Sequence, residues 1–201
     1  MCYTYPVIEF HNYSYLEDGT PRQQQAFATL RRLVIFERLA DFNPILAGTI
    51  PLGIDRPGSD LDIPCYAADL DGFSALVQAC YGDQPGFAIH RKAVRGIDSV
   101  IARFDSADFP IEIFAQAVPV EQQNGYRHLV IEHRLLEAGG APVKEAIRRM
   151  KQAGFKTEPA FAGYLGLAGD PYDALLALEP LDDAELYRLV KKRMNCGLCE
   201  N

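Results

Sequence analysis

The fold is decided by residues 47–63, AGTIPLGIDRPGSDLDI, which join two short apolar runs. The first run, residues 45–47, predicts a buried strand that ends in a tight turn at Gly48-Thr49. Proline and glycine punctuate the following residues, so we expect the linking segment to be a loop. A second strand then begins at Ser59-Asp60, where apolar and acidic residues alternate. The stretch therefore predicts two strands joined by a glycine-containing turn.

The second strand carries two carboxylates, Asp60 and Asp62, that are two residues apart. Alternate residues of a strand point to the same face, so both carboxylates project together, opposite the apolar side chains. Neighbouring carboxylates repel each other unless a cation lies between them, and oxygen ligands of this kind suit Mg²⁺ or Mn²⁺. The alternative is an ordinary exposed strand, in which the acids face solvent and Asp60 caps a turn.

A third acid, Glu112, interrupts the apolar run of residues 109–115. Its side chain is expected to face either solvent or the same site as the two aspartates. If its strand neighbours theirs, three carboxylates converge, which is enough to hold two divalent ions with phosphate oxygens completing the coordination. Asp60, Asp62 and Glu112 are therefore the candidate metal ligands and catalytic residues.

The turn upstream supplies groups that suit a phosphate. Gly48 allows a ligand to approach the backbone closely, and Thr49 and Ser59 offer hydroxyl groups. The amides of the turn can also point at an anion. A phosphate-binding turn before a metal-binding strand is the minimal apparatus for phosphoryl or nucleotidyl transfer.

Three basic side chains are further candidates for contact with a nucleotide. Arg56 lies in the loop before Asp60, while Arg127 and His128 follow a polar cluster at the start of a predicted helix. For each of them an ordinary alternative stays open, namely an exposed loop arginine, or a surface or capping role on the helix.

Periodicity along the chain predicts an α+β fold, with a mixed or antiparallel sheet, flanking helices and a C-terminal helical region. Helices are expected at 21–40, 69–81, 121–138, 143–153, 159–168, 171–178 and 182–194. Alternation predicts three further strands, at 87–91, 99–104 and 110–115. We therefore expect an α/β core with an N-terminal helix over residues 1–118, and a helical region packed on it over residues 119–201.

Composition narrows the functional class. The chain has 201 residues, with 20 basic and 27 acidic side chains and a net charge of −7. This acidic balance argues against a general nucleic-acid coat, which needs clustered lysine and arginine. No apolar stretch is long enough for a bilayer and no signal-peptide pattern is seen, so we expect a cytoplasmic protein without membrane contact. Five scattered cysteines fit a reducing compartment, and Cys196 and Cys199 are expected to lie in a frayed tail.

At the quoted stretch the chain resembles the nucleotidyltransferase superfamily typified by DNA polymerase β. The pattern of that superfamily is an apolar residue with Gly and then Gly or Ser, followed by an Asp-x-Asp between apolar residues, and further on by a single acid. Here the pieces are residues 47–49, 59–63 and 111–113. The phrases AGTIPLGI and QNGYRH, at 47–54 and 123–128, more closely resemble an uncharacterised bacterial nucleotidyltransferase-like family of unknown function.

The resemblance implies a two-metal site with Mg²⁺ or Mn²⁺, and it assigns roles to the residues already singled out. Its metal ligands would be Asp60, Asp62 and Glu112, and its triphosphate contacts Gly48 with Thr49 or Ser59. One ion would activate an acceptor hydroxyl, the other would hold the phosphates, and in-line attack on the α-phosphorus would expel pyrophosphate. The chain departs from the pattern by having Thr49 in place of Gly or Ser, and Glu112 in place of Asp.

We therefore predict a metal-dependent nucleotidyltransferase that moves a nucleoside monophosphate from an NTP to a hydroxyl group. The acceptor is not identified by the sequence and is a small molecule, a protein or RNA. Nucleic acid is the least favoured acceptor, because no nucleic-acid-binding module is evident. The alternatives are a non-catalytic protein that binds a nucleotide or a metal ion, and an interaction protein that retains the fold and binds a protein partner.

Overall fold

The computed structural model describes residues 10–197 of the chain, and the side chains of residues 10–195. The described residues group into two compact units. The sheet unit comprises 10–53 and Pro57–Tyr126, and the helical unit comprises Ile54–Arg56 and 127–197. Our division of the chain after residue 118 stays a prediction, and Cys196 and Cys199 lie outside the described side chains.

The sheet unit begins with two helices, α1 (Pro21–Leu33) and α2 (Ile35–Arg38). Thr20 specifies the start of α1, because its hydroxyl accepts from the Gln23 amide and its own amide donates to the Gln23 side chain. The single helix predicted over 21–40 is wrong, since Val34 takes a left-handed conformation with φ 54° and ends α1. The apolar spacing continues through Val34, and for that reason periodicity alone does not reveal the break.

A four-stranded sheet follows. Its strands are β1 (Leu61–Tyr66), β2 (Ala88–Val94), β3 (Ile97–Asp105) and β4 (Pro110–Gln116). The spatial order is β1-β4-β3-β2, with β1 parallel to β4 and the other neighbours antiparallel. One helix, α4 (Leu70–Tyr81), follows β1 and is capped by the Asp69 carboxylate, which accepts from two backbone amides of the first turn. The α+β class, with a mixed sheet and flanking helices, is confirmed.

The strand predicted at residues 45–47 is wrong, because the segment forms only a single bridge to β1, between Ala47 and Asp62. The amide of Ala47 donates to the Asp62 carbonyl at 2.9 Å, and the amide of Ile45 donates to the Pro64 carbonyl at 3.2 Å. A one-turn helix, α3 (Thr49–Leu52), begins directly afterwards. The Gly48 turn is therefore fastened to the strand that carries the two aspartates.

The hydrophobic core of the sheet unit lies against one face of the sheet. On β1 and β4, the alternate residues Leu61, Ile63, Ile111 and Ile113 are buried in one cluster with apolar side chains of α1 and α4. Their in-between neighbours Asp62 and Glu112 are only half-buried. Because alternate strand residues point to opposite faces, the core fixes which face receives the acids.

The start of β4 is anchored to α1 through the turn at Asp108. The Asp108 carboxylate accepts hydrogen bonds from Gln25 at 2.8 Å, Arg32 at 3.1 Å and Thr29 at 3.3 Å. The hydrogen bond from Arg32 is the main cause that lowers the pKa of Asp108. The Arg22 guanidinium also lies 3.6 Å from the centre of the Phe109 ring. These contacts fix the strand that carries Glu112.

The longest helix, α5 (Asn124–Gln152), begins in the sheet unit and continues into the helical unit. It is interrupted at Gly140, with φ 62° and ψ −156°, just before Pro142, where the sequence predicts the end of one helix and the start of the next. The helical unit also contains α6 (Thr157–Leu165), α7 (Pro171–Leu176) and α8 (Asp183–Gly197). Within the described residues, no helix combines the length and apolar character needed to cross a membrane.

The core contacts of β1 predict the effect of truncating Ile63. Ile63 is fully buried, whereas Ile97 at the β2–β3 hairpin is 40% exposed. We expect Ile63→Ala to lower the free energy of unfolding by about 2–5 kcal/mol, because it leaves a cavity. The matched control Ile97→Ala should change it by less than about 0.5 kcal/mol. Urea denaturation measures both, and equal effects would contradict the assignment of Ile63 to the core.

Candidate functional site

The central feature of the site is the pairing of Asp62 with Glu112. These residues are direct partners in the parallel register of β1 and β4. Directly paired residues of neighbouring strands project to the same face, so the two carboxylates leave the sheet side by side. The sequence predicts that Glu112 meets the aspartates only if these two strands are neighbours. The strand order satisfies that condition and places Glu112 beside Asp62.

Asp60 joins these two acids from the end of β1. It precedes the first residue of the strand and lines a pocket of about 130 Å³ together with Glu112. Arg103 and Asp105 of β3 and Gly86 also contribute to the wall of this pocket. Asp60 and Glu112 thus face a common space, and Asp62 lies beside Glu112 in the sheet.

Gly48 brings the preceding turn against Asp62. Its φ of 78° and ψ of −152° lie in a region that residues with a side chain rarely adopt. A Cβ atom at this position would collide with Oδ2 of Asp62. The bare backbone of residue 48 is therefore required for the Asp62 carboxylate to lie against the turn.

Thr49 and Ser59 lie together at the two ends of the linking loop. The Thr49 hydroxyl is 3.4 Å from Oγ of Ser59, which is longer than the usual O–H···O hydrogen bond of about 2.5–3.0 Å, so the contact is weak. Thr49 is the first residue of α3, directly after Gly48. Six of the nine sequence-predicted site residues thus belong to the sheet unit, namely Gly48, Thr49, Ser59, Asp60, Asp62 and Glu112.

Arg103 is the member of the site that sequence reasoning missed. It lies directly opposite Glu112 in the β3–β4 register, and its Nε donates to Oε2 of Glu112 at 2.6 Å. The Nη2 atom contacts the same oxygen, which makes the pair a charge-assisted hydrogen bond on one edge of the carboxylate. The available signal was the alternation of β3, which places Arg103 among the exposed residues between buried neighbours.

In this structure the three carboxylates do not all lie close enough together to bind one metal ion. Among the described residues, Asp60, Asp62 and Glu112 do not bring three ligand atoms within 4.8 Å of one another, whereas a group in the helical unit does. The ion pair with Arg103 holds the Glu112 carboxylate toward β3 through Oε2. A cation shared by all three acids would therefore bind Glu112 through Oε1 or displace Arg103.

The three remaining predicted contacts, Arg56, Arg127 and His128, belong to the helical unit. Arg127 forms a two-pronged ion pair with Glu179, and this hydrogen bonding raises the pKa of Arg127. His128 is buried, with Nδ1 3.2 Å from Glu158 and Nε2 3.2 Å from the carbonyl oxygen of Tyr172. Contact of these residues with a nucleotide stays a prediction.

Comparison with solved structures shows the fold. The structure of a cytoplasmic RNA terminal U-transferase matches with a TM-score of 0.50 and 15% identity, over 83% of this chain and 51% of that chain. The GLD-2/RNP-8 complex matches with a TM-score of 0.49 and 11% identity, over 82% of this chain and 62% of that chain. The present chain thus spans about half to three fifths of these proteins. The chain therefore shares its fold with the RNA terminal U-transferase structure.

Comparison of sequences gives one family. The family model described as Domain of unknown function (DUF4269) matches residues 28–178, which include every predicted site residue. Comparison with curated proteins yields no match.

Because the turn lies close to Asp62, we expect an alanine substitution to destabilise the protein more at Gly48 than at Gly96. Gly48 and Gly96 have nearly the same φ, 78° and 79°, but an added Cβ would meet nothing within 4 Å at Gly96. Both alanine variants therefore carry strain of about 1–3 kcal/mol, and Gly48→Ala also pushes against Asp62. We expect Gly48→Ala to lower the free energy of unfolding by at least about 1 kcal/mol more than Gly96→Ala. Equal losses in urea denaturation would show that the turn does not press on Asp62.

Proposed function

The chain belongs to the DUF4269 family, and we propose that it is a metal-dependent nucleotidyltransferase that moves a nucleoside monophosphate from an NTP to a hydroxyl group. The single observation that carries the proposal is the in-register pair of Asp62 and Glu112, with Asp60 facing the same pocket as Glu112. The acceptor is a small molecule, a protein or RNA. We also propose that the protein is related to an uncharacterised bacterial nucleotidyltransferase-like family and that it is located in the cytoplasm.

The donor set fits hard divalent cations. All three candidate ligands are carboxylates, and Mg²⁺ and Mn²⁺ favour oxygen ligands at a few protein carboxylates completed by substrate phosphates. Acids that are paired in register on neighbouring strands also repel each other, so a cation between them would offset this electrostatic repulsion. Asp60, Asp62 and Glu112 would hold Mg²⁺ or Mn²⁺, and such ions neutralise phosphate charge and lower the pKa of a bound hydroxyl.

The residues of the sheet unit also provide for the transfer step. The acceptor oxygen forms a bond to the α-phosphorus while the bond from that phosphorus to the bridging oxygen breaks, and pyrophosphate leaves with the electron pair. The proton of the acceptor hydroxyl passes to the Glu112 carboxylate, which acts as the base once it has left Arg103. The bare backbone at Gly48 lies against Asp62, and it would contact the triphosphate there together with Thr49 and Ser59, whose hydroxyls donate hydrogen bonds to phosphate oxygens.

The basic residues of the helical unit complete the proposal. Arg56, Arg127 and His128 would contact the nucleotide, as the sequence predicts. Arg127 would then have to exchange Glu179 for a phosphate, and His128 would have to release Glu158, so that it cannot contact the nucleotide and hold a metal ion with Glu158 at the same time. We propose in addition that residues 1–118 form the catalytic core and that residues 119–201 form a C-terminal helical region.

One observation favours a second candidate function. In this structure the positive charge of Arg103 compensates the negative charge of Glu112, as a bound metal cation would otherwise do. A protein that keeps this ion pair permanently would have two acids, Asp60 and Asp62, for a metal ion or a nucleotide, and no free base. The second candidate is therefore a non-catalytic binding or interaction protein with the same fold.

Charge removal at the aspartates separates these two functions. Purified protein is incubated with each labelled NTP and Mg²⁺ or Mn²⁺, and pyrophosphate release and self-labelling are measured. We expect activity in the wild type and a loss of at least about 100-fold in Asp60→Asn/Asp62→Asn, because the developing charge is no longer stabilised. The control Asp98→Asn removes an exposed carboxylate from the β2–β3 hairpin and should keep full activity. Metal-dependent NTP binding without turnover would support the second candidate.

In our proposal Arg103 and a divalent cation compete for the Glu112 carboxylate. This competition predicts the effect of removing the charge of Arg103. In Arg103→Gln the Glu112 carboxylate no longer has an arginine partner, so a divalent cation has less to displace. An exposed ion pair is worth up to about 1 kcal/mol, so we expect the apparent Kd for Mn²⁺ to fall by up to about fivefold. Arg91→Gln, which alters another exposed arginine of the sheet unit, is the control. A weaker Mn²⁺ affinity in Arg103→Gln would contradict the proposed competition.

A further inference from the structure

We propose that the helical unit contains a buried transition-metal site formed by His128, Glu132 and Glu158, with Zn²⁺ as the ion that best suits its ligands. The three residues each offer one ligand atom, and these atoms lie within 4.8 Å of one another. His128 and Glu132 are one turn apart in α5, so they share a helix face. Glu158 comes from the first turn of α6.

The separation of the ligand atoms suits a metal ion of this size. A tetrahedral Zn²⁺ site with bonds of about 2.0–2.2 Å places its ligand atoms about 3.4 Å apart. The distance from Nδ1 of His128 to Oε1 of Glu158 is already 3.2 Å. Small side-chain rotations are therefore enough to bring the third ligand, Glu132, into the same coordination shell.

The strongest indication that the cluster binds a cation is the Glu132 carboxylate. Glu132 is only 4% exposed, and its Oε1 atom has no hydrogen-bond partner among the described residues. Leaving a buried acceptor without a partner costs about 1–3 kcal/mol, and more for a charged group. Burial, followed by the nearby charge of Glu158, raises the pKa of Glu132. A metal ion bound by Glu132 would satisfy this oxygen and stabilise the ionised carboxylate.

The second ring nitrogen of His128 is held as in a metal-binding histidine. The carbonyl oxygen of Tyr172 can only accept, so its distance of 3.2 Å from Nε2 of His128 favours the tautomer with the hydrogen on Nε2. In the neutral imidazole Nδ1 then presents a lone pair to the Glu158 carboxylate, and two acceptors face each other. A backbone carbonyl that orients the far nitrogen is the usual outer-shell partner of a histidine ligand. The geometry therefore requires either a metal ion or a proton between Nδ1 and Glu158.

One cationic side chain already lies beside the cluster. Lys151 is 6% exposed, its Nζ donates to the Thr157 hydroxyl at 2.6 Å, and its charge acts on both Glu132 and Glu158. A single ammonium group offsets at most one of the two carboxylate charges. The imidazole and carboxylate ligands together favour Zn²⁺ over Mg²⁺, which prefers oxygen ligands alone.

Titration of the full-length protein with Zn²⁺ tests this site. The protein is dialysed against EDTA and then freed of it, and the Asp60→Asn/Asp62→Asn variant is used, so that a failure of the proposed active site does not affect the result. Isothermal titration should show one Zn²⁺ per chain, and Glu132→Gln should weaken its binding at least about tenfold. The control Glu145→Gln, an exposed glutamate on the same helix, should bind Zn²⁺ with unchanged affinity.

Visible absorption of the Co²⁺-loaded Asp60→Asn/Asp62→Asn variant gives a second measurement that needs no substitution in the cluster. We expect a low-symmetry Co²⁺ spectrum that saturates at one equivalent and disappears when Zn²⁺ is added. The absence of stoichiometric Zn²⁺ and Co²⁺ binding would overturn the proposal, as would equal affinities in Glu132→Gln and Glu145→Gln. The cluster would then be a metal-free network of His128, Glu132 and Glu158.

Discussion

The electrostatic repulsion between Asp62 and Glu112 is the constraint on which the site depends. The parallel register of β1 and β4 places these acids side by side, while the apolar residues on either side of them are buried in the core. A shift of the register by one residue would turn the apolar side chains outward, so the core holds the acids together despite their repulsion. The repulsion must therefore be offset locally, by Arg103 in this structure and by divalent cations in the proposed reaction.

The helical unit contains a similar accumulation of charge in a different environment. The sheet acids are partly exposed, so water and an arginine can moderate their repulsion. Glu132 is buried, and solvent cannot provide the same compensation there. His128 adds a nitrogen ligand, and this is the reason that the two proposed sites favour different metal ions. Each unit can thus be tested for its own ion without reference to the other.

The sequence predicts the parts of the fold that depend on local patterns. Alternation locates β1 to β4, and Thr20-Pro21 and Gly139-Gly140 locate a helix start and a helix interruption. The left-handed Val34 and the short bridge at Ala47 escape such patterns, because non-local packing decides them. Spacing nominates the acids, but only the strand order makes Glu112 a neighbour of Asp62. Spacing in the sequence does not identify Arg103 or Glu158 for the same reason, because each contacts a partner on a different strand or helix.

The central claim is that the three acids of the sheet unit gather divalent cations around a nucleotide. The most direct measurement is a crystal structure of the protein with Mn²⁺ and a non-hydrolysable NTP, with Mn²⁺ located by anomalous scattering. Our account predicts anomalous peaks about 2.1 Å from carboxylate oxygens of Asp60, Asp62 and Glu112, with the triphosphate beside Gly48 and Arg103 turned away from Glu112. A bound nucleotide elsewhere, or no Mn²⁺ at these acids with the Arg103–Glu112 pair intact, would contradict it.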